Sequence, residues 1–377
     1  MLRCRFLLVL LCWFAAWPLH ALSLLDYNVH GNGATNWSTN SAQVRAIGRQ
    51  MAYLQPDVIT LNEIPFDLSY EMTNFVKAYL PGYSLAMNSG TDGFIRSAIA
   101  SRHPIVRSTK WLDGESLVPF GYTNSRPTFT RDLFEAEIAV PSFSQPLHVF
   151  TTHLKAGSPP IGTTNDMMRR AAEAGAISNF FVTAFLTTNA NRPYVLTGDL
   201  NEDINRPPAG SSQPVQRLIS PPTGLRLTTP RNPFTHDDRT WSILEASLSI
   251  RFDYILPGGL LFSNIASSQV FRTDVLNPTP LGLLSLDDKT ASDHLPVLMV
   301  FHNPYDTPYR LTSITASNQL VRLTWQATPG RQYLVESSSN LLSWTALSTN
   351  LTATATNASF STSPAGGAQF FRVYRVP

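Results

Sequence analysis

The chain has 377 residues, 43% of them hydrophobic and 14% charged, which describes a folded protein with room for one large domain and a small one and excludes a disordered chain. Lys and Arg number 28 against 26 Asp and Glu. A charge-driven, high-affinity nucleic-acid binder would carry a larger basic excess, although a catalytic encounter needs none.

The first 21 residues read as a secretory signal peptide. Arg3 and Arg5 precede an almost continuous apolar run over residues 6–17, and Leu19-His20-Ala21 places a small residue before a cut. The run is too short for a comfortable membrane span. Export to the periplasm or the extracellular space is therefore expected, with no integral membrane span left after cleavage. Both cysteines, Cys4 and Cys12, lie inside this leader, so the mature chain would have no disulfide and depend on core packing. A lipid-anchoring cut at Cys12 is not indicated, because Val9-Leu10-Leu11 lacks the small residues such a site needs.

From residue 23 to 31 a strand runs into a glycine-rich loop. Val44, Ile47, Met51 and Leu54 then recur at helical spacing behind the capping candidates Asn40 and Ser41, and Pro56 stops the helix. A strand over 57–64, a helix over 69–80 and strands in YSLAM and SAIASRHPI follow. Residues 128–140 and 147–153 suit a hairpin, and a long helix over about 165–186 leads into PYVLTGDLNED. There Gly198 ends an apolar strand and leaves Asp199 and Asn201 two residues apart, which in an extended chain would turn both to one side. A carboxylate and an amide facing one spot suit proton abstraction from water and stabilisation of an oxygen gaining negative charge.

A loop-rich stretch over 205–241 precedes strands over 251–257 and 293–301. Alternating strands and helices with hairpins mixed in indicate α/β with mixed sheets. Composition changes near residue 302. LVRLTWQA, GRQYLVESSS, WTALST and FFRVYRV are short strands among turn residues, which predicts a small all-β sandwich. The expected organisation is a signal peptide over 1–21, a catalytic domain over 22–303, a linker over 304–308 and an accessory domain over 309–377. That last domain would serve structure or attachment, to carbohydrate or the cell envelope. A monomer is expected.

Polar residues stand at the strand ends in a definite order: Asn28, Glu63, His153, Asp199 with Asn201, Asp253, then Asp293 with His294. Each alone has an ordinary structural explanation; the set does not. With YNVHG, LNEI, SAIASRHPI, TTHLKA, TGDLN, RFDYIL and SDHLPV, over residues 24–301, the chain resembles the endonuclease/exonuclease/phosphatase superfamily. These metal-dependent phosphoesterases include DNase I, sphingomyelinases and inositol polyphosphate 5-phosphatases. The resemblance implies a DNase I-like four-layer sandwich, helices outside and two mixed sheets inside, with the site at one end. It also implies Glu63 as principal ligand of Mg²⁺ (or Mn²⁺), helped by Asn28 and Asp293, and hard oxygen donors do suit those ions. His294, oriented by Asp253, would act on the phosphate or the attacking water, with Asp199 and Asn201 orienting both. His153 would polarise the leaving oxygen, steadied by Asp92.

The chain departs from DNase I where Ile64-Pro65-Phe66 follows Glu63 without an arginine, and in having no disulfide. The aromatic hairpin of secreted sphingomyelinases is not evident, and Arg96, Arg102, Arg126 and Arg131 are the candidate phosphate contacts. The expected function is a secreted Mg²⁺-dependent phosphoesterase acting on a phosphodiester or monoester, with a nuclease-like diesterase and nucleic acid as substrate favoured slightly. Phospholipase C-type, sphingomyelinase and inositol-phosphate phosphatase activities are the alternatives, and a catalytically lapsed surface-binding scaffold is the competing class.

Overall fold

The computed structural model describes residues 22–141, 143–157, 163–207, 213–245, 247–305, 310–317, 320–348, 350–363 and 369–376. The expected signal peptide, and residues 306–308 of the expected linker, lie outside them. Eleven strands form two mixed sheets. The first, in order β10-β11-β1-β2-β4-β3, contains β1 (Leu22–Asn28), β2 (Val58–Pro65), β3 (Ser84–Met87), β4 (Ile95–Ser101), β10 (Ile265–Val270) and β11 (Val297–Phe301). The second, β5-β6-β7-β8-β9, contains β5 (Ile105–Trp111), β6 (Leu133–Ile138), β7 (Leu147–His153), β8 (Tyr194–Asp199) and β9 (Asp253–Pro257). Pairs β1–β2 and β7–β8 are parallel and the other pairings antiparallel.

Helices α1 (Ala42–Leu54) and α2 (Met72–Tyr79) cover the outer face of the first sheet, where Val44, Ile47, Met51 and Phe75 pack on Leu25, Tyr27 and Leu61. Ser41 caps α1 by accepting from the Val44 N–H. Helix α3 (Thr164–Phe180), extended by a π-helical turn at Phe181–Phe185, covers the second sheet through Ile177, Phe180 and Phe181 on Phe150, Leu196 and Leu256. The result is the expected four-layer sandwich.

The space between the sheets positions the site. Side chains alternate along a strand, so every second residue faces the opposite sheet. Leu22 and Leu24, Val58, Leu147 and Val149, Val195 and Ile255 share one apolar core there. Continuing each series by two residues gives Asp26 and Asn28, Thr60 and Asn62, Thr151 and His153, Thr197 and Asp199, and Asp253, all buried. One inner face is thus oily at one end and polar at the other.

The polar end is closed by hydrogen bonds across the sheets, Thr197 Oγ1 to Thr60 Oγ1 at 2.9 Å and Asn62 Nδ2 to Thr151 Oγ1 at 3.2 Å, and within the first sheet Thr60 Oγ1 donates to Asp26 Oδ1 at 2.7 Å. Burial, together with the nearby charge of Asp253, pushes the Asp26 carboxyl well above the ordinary carboxylate range.

Beyond Phe301 a three-stranded sheet, β12 (Leu311–Ser317), β13 (Leu320–Gln326) and β17 (Asn357–Thr362), accompanies a four-stranded one. The latter consists of β14 (Gln332–Ser338), β15 (Thr345–Ala346), β16 (Leu351–Thr352) and β18 (Phe370–Arg375). They share a core of Leu323, Trp325, Tyr333 and Val335, in agreement with the all-β module expected from composition. No helix among the described residues is long and apolar enough to cross a membrane.

Candidate active site

The polar end opens into a cleft of about 560 Å³. Glu63, Asp199, Asn201, Asp293 and His294 line it, beside Trp241 and Phe252, with the exposed His30, Asn32 and Glu245 at its mouth.

Two backbone features set the carboxylates. A bulge between Leu61 and Ile64 places Glu63 at φ 60°, a left-handed conformation that re-aims a strand side chain and concentrates at functional sites. Gly31 lies against it, where a Cβ would come within 2.3 Å of the Glu63 carbonyl. Gly198, at φ 134°, lets β8 approach Thr152 so closely that a Cβ would stand 1.8 Å from its carbonyl. Only glycine fits there, and Asp199 follows directly.

Asn28 is the hub. Its Nδ2 donates to Glu63 Oε1 at 3.1 Å and to Asp199 Oδ2 at 2.9 Å and lies 3.5 Å from His294 Nε2, while its Oδ1 accepts from the His30 N–H. It joins two carboxylates through its amide N–H groups, in the midst of the residues that the resemblance implies as metal ligands. Asp199 is held through its own N–H on Asn62 Oδ1 and by the Asn201 N–H on its Oδ1, at 2.8 Å. Asn201 does not face the cleft by strand alternation, since β8 has ended and Asn201 adopts φ 52°. It reaches the cleft through a turn, and its amide donates to the Leu154 carbonyl.

His294 Nδ1 stands 2.8 Å from Asp253 Oδ2, and its Nε2 faces Asp199 at 3.7 Å and Asp293 at 3.9 Å. Burial opposes a charge on this ring, yet the surrounding Asp253, Asp199 and Asp293 hold it protonated, well above the usual histidine range. Burial also raises the Asp199 carboxyl to about 7; His294 opposes that rise, while Asp253 and Glu63 add to it.

His153 is in the opposite state. Burial, with Arg131, His294 and Lys155 adding to it, keeps the ring neutral. It lies 1% exposed beneath Asp199 (3.4 Å) and Glu63 (3.8 Å) and does not line the cleft. This position suits a carboxylate partner better than the expected contact with a leaving oxygen. Asp92 does not steady it either. Its carboxylate pairs with Arg131 at 2.9 Å and caps the turn at Phe94, because a fixed guanidinium outcompetes a neutral imidazole for a carboxylate. Arg131 in turn donates to the His153 carbonyl.

Three features escaped the sequence reading. His30 Nδ1 lies 3.1 Å from Asp293 Oδ1, and Trp241 Nε1 donates to Asp293 Oδ2 at 3.0 Å, so both fix a predicted site residue from loops. Asn62 supports Asp199 from within β2. His30 had a signal, two residues after Asn28 in a glycine-rich loop; Trp241 had none beyond ending the loop-rich stretch.

The donor set fits a divalent cation. Glu63, His153 and Asp199 offer ligand atoms within 4.8 Å of one another; Asp199, Asp253 and His294 stand equally close, but the protonated His294 ring has no lone pair to give. His153 Nδ1 and Asp253 Oδ1 are buried without a hydrogen-bond partner among the described residues, and uncompensated buried polar atoms are costly unless something else satisfies them. Asp293 belongs to neither group.

A four-layer sandwich with acids and histidines converging at the polar end of its inter-sheet space is the arrangement of a metal-dependent phosphoric ester hydrolase. The chain belongs to the Endonuclease/Exonuclease/phosphatase family, whose sequence pattern it matches over residues 27–294. Among solved structures, the endonuclease/exonuclease/phosphatase from Beutenbergia cavernae DSM 12333 is similar with a TM-score of 0.50 and 17% identity, over 94% of this chain and 99% of that one. The protein of the same description from Bacteroides vulgatus is similar with a TM-score of 0.51 and 13% identity, over 75% and 98%. At such identities the likeness speaks for the fold alone. No curated protein matches the sequence.

Proposed function

We propose that this chain is an exported, Mg²⁺-dependent hydrolase that cleaves a phosphoric ester by in-line attack of water. The observation that carries the reading is the convergence of Asn28, Asp199 and Asp293 within 4 Å of His294 Nε2, with Asp253 behind the ring. Glu63 and Asp293 would hold the ion, with Mn²⁺ as a substitute; bound there it supplies charge neutralisation of the phosphate. Asp199, with a pKa near neutrality, takes a proton from the attacking water, since a base poised near the working pH is the most effective one. Asp253 holds Nδ1 of His294, so that Nε2 presents its proton to a phosphate oxygen. Asn201 fixes Asp199 through its backbone N–H, and His153 keeps Glu63 and Asp199 in register from below.

The test is hydrolysis of p-nitrophenyl phosphate and bis(p-nitrophenyl) phosphate after EDTA dialysis. Activity should return with Mg²⁺ and stay about 10³-fold lower in His294→Ala; turnover unaffected by chelation defeats the reading. Export predicts a mature N-terminus near Leu22, readable by N-terminal sequencing of secreted protein. We also read residues 22–303 as the catalytic unit and 309–377 as an accessory module for carbohydrate or envelope attachment. Truncation after Tyr305 should then leave hydrolysis intact, and a soluble but dead truncated form would refute that independence.

A further inference from the structure

We propose that the ester taken by this cleft carries a single phosphate on a neutral, hydroxyl-rich remainder, a sugar or polyol phosphate, and that polyanions are rejected. The proposal rests on the hydrolase reading above and departs from the slight nuclease preference of the sequence.

The cleft volume falls in the range of small-molecule pockets. Among the described residues no Lys or Arg lines it, and neither residues 158–162, which follow Gly157 in the chain, nor Ala246, which follows Glu245, add a basic residue in sequence. Cations close by in the chain are engaged elsewhere. Arg131 serves Asp92 and the His153 and Leu154 carbonyls, Lys155 pairs with Asp166, and Arg239 pairs with Asp237. Arg96 is drawn over the Phe66 ring and Arg102 over Tyr83. Binding a nucleic-acid strand requires a positively charged groove tracking the backbone, and none lines this site.

Against this stand four carboxylates in the lining: Glu63, Asp199, Asp293 and Glu245. The first three serve the ion and His294. Glu245 does not; it is exposed at the mouth and makes no side-chain hydrogen bond among the described residues. A bound cation and His294 match one phosphate, whereas a second phosphate would meet Glu245 with no Lys or Arg among the described lining residues to offset it, a like-charge juxtaposition that excludes partners.

What Glu245 can do is accept hydroxyl protons. The same cleft is lined by the exposed Asn32 amide and by the Trp241 indole, pinned by its N–H on Asp293 and packed on Phe252 at 5.3 Å. A fixed indole that shares its cleft with an exposed carboxylate and an amide matches the C–H surface and hydroxyls of a sugar ring or polyol.

The experiment compares kcat/KM of the full chain in Mg²⁺ on hexose 6-phosphate, a glycerophosphodiester, hexose 1,6-bisphosphate and a single-stranded oligonucleotide, with the two p-nitrophenyl esters as controls. At least one single-phosphate polyol ester should exceed the bisphosphate and the oligonucleotide by about a hundredfold, the first two substrates deciding between monoester and diester. Equal or better turnover of either polyanion overturns the proposal. In Glu245→Lys the ratio of polyol monophosphate to bisphosphate should fall by about tenfold; an unmoved ratio also overturns it. Turnover of the aryl esters without a polyol preference defeats this proposal alone, while inertness of all six esters removes the hydrolase reading beneath it.

Discussion

The two ends of the inter-sheet space are built from the same strands, two residues apart. At one end Leu22, Leu24, Val149, Val195 and Ile255 are sealed against one another, and burial of that kind stabilises by about 25 cal/mol per Å² of apolar surface. At the other, Asn28, His153, Asp199 and Asp253 occupy the same face at comparable burial. Placing them there costs desolvation, which is offset only where partners are found. Buried atoms left without partners among the described residues, on His153 and Asp253, lie at this end, where an ion and a substrate would supply them. The difference separates what the strands do for stability from what they do for chemistry.

The sharpest break between the ends is expected in His294→Ala. Losing a positioned proton donor should lower kcat by about 10³-fold, roughly 4 kcal/mol, with the denaturant midpoint little changed. A large fall in stability together with near-normal turnover would place His294 in the structural half. Leu147→Ala at the oily end should do the reverse, costing about 3 kcal/mol of stability through a cavity while specific activity of the folded fraction stays within about twofold of the wild type.

Between the ends, Asn62→Ala removes the acceptor for the Asp199 N–H and the donor to Ser97 and Thr151. Leaving such buried groups unpaired should cost about 2 kcal/mol. Because Asn62 does not line the cleft, the same change should lower kcat about tenfold at constant KM. A rise in KM instead would make it a substrate contact.

That graded behaviour explains what was legible in the sequence. The alternation placing Asn28, His153 and Asp199 at strand ends is local and period-two, so it can be read from the order of residues alone. The left-handed turns at Glu63 and Asn201 are not, because a bulge or a chain reversal leaves no periodic trace, and the alternation applied to Asn201 was the wrong period. Asp92 failed for a different reason: its partner Arg131 is a long-range neighbour that no spacing reveals. Strand β12 was missed because all seven of its residues are exposed, which erases the alternation that marks a half-buried strand.

The smallest effect concerns buried charge facing the other way. Phe134 and Ala136 of β6 point between the sheets, so Glu135 points out beneath the π-helical turn, 2.6 Å from His148 Nδ1 and 2.8 Å from the Trp111 N–H. Burial tends to raise its carboxyl, but the bonds from His148 and Trp111 and the charge of Arg107 win, leaving it below the ordinary value. A carboxylate with a depressed folded-state pKa adds stability above its unfolded pKa and loses it as pH falls through the folded one. Wild type should therefore lose thermal stability on acidification below about pH 4.5 more steeply than Glu135→Gln, as read from melting temperatures across that window. Turnover at neutral pH should be the same in both. A change in kcat would mean that buried charge on the outer face also reaches the chemistry, and the division between the two ends of the inner face would no longer suffice.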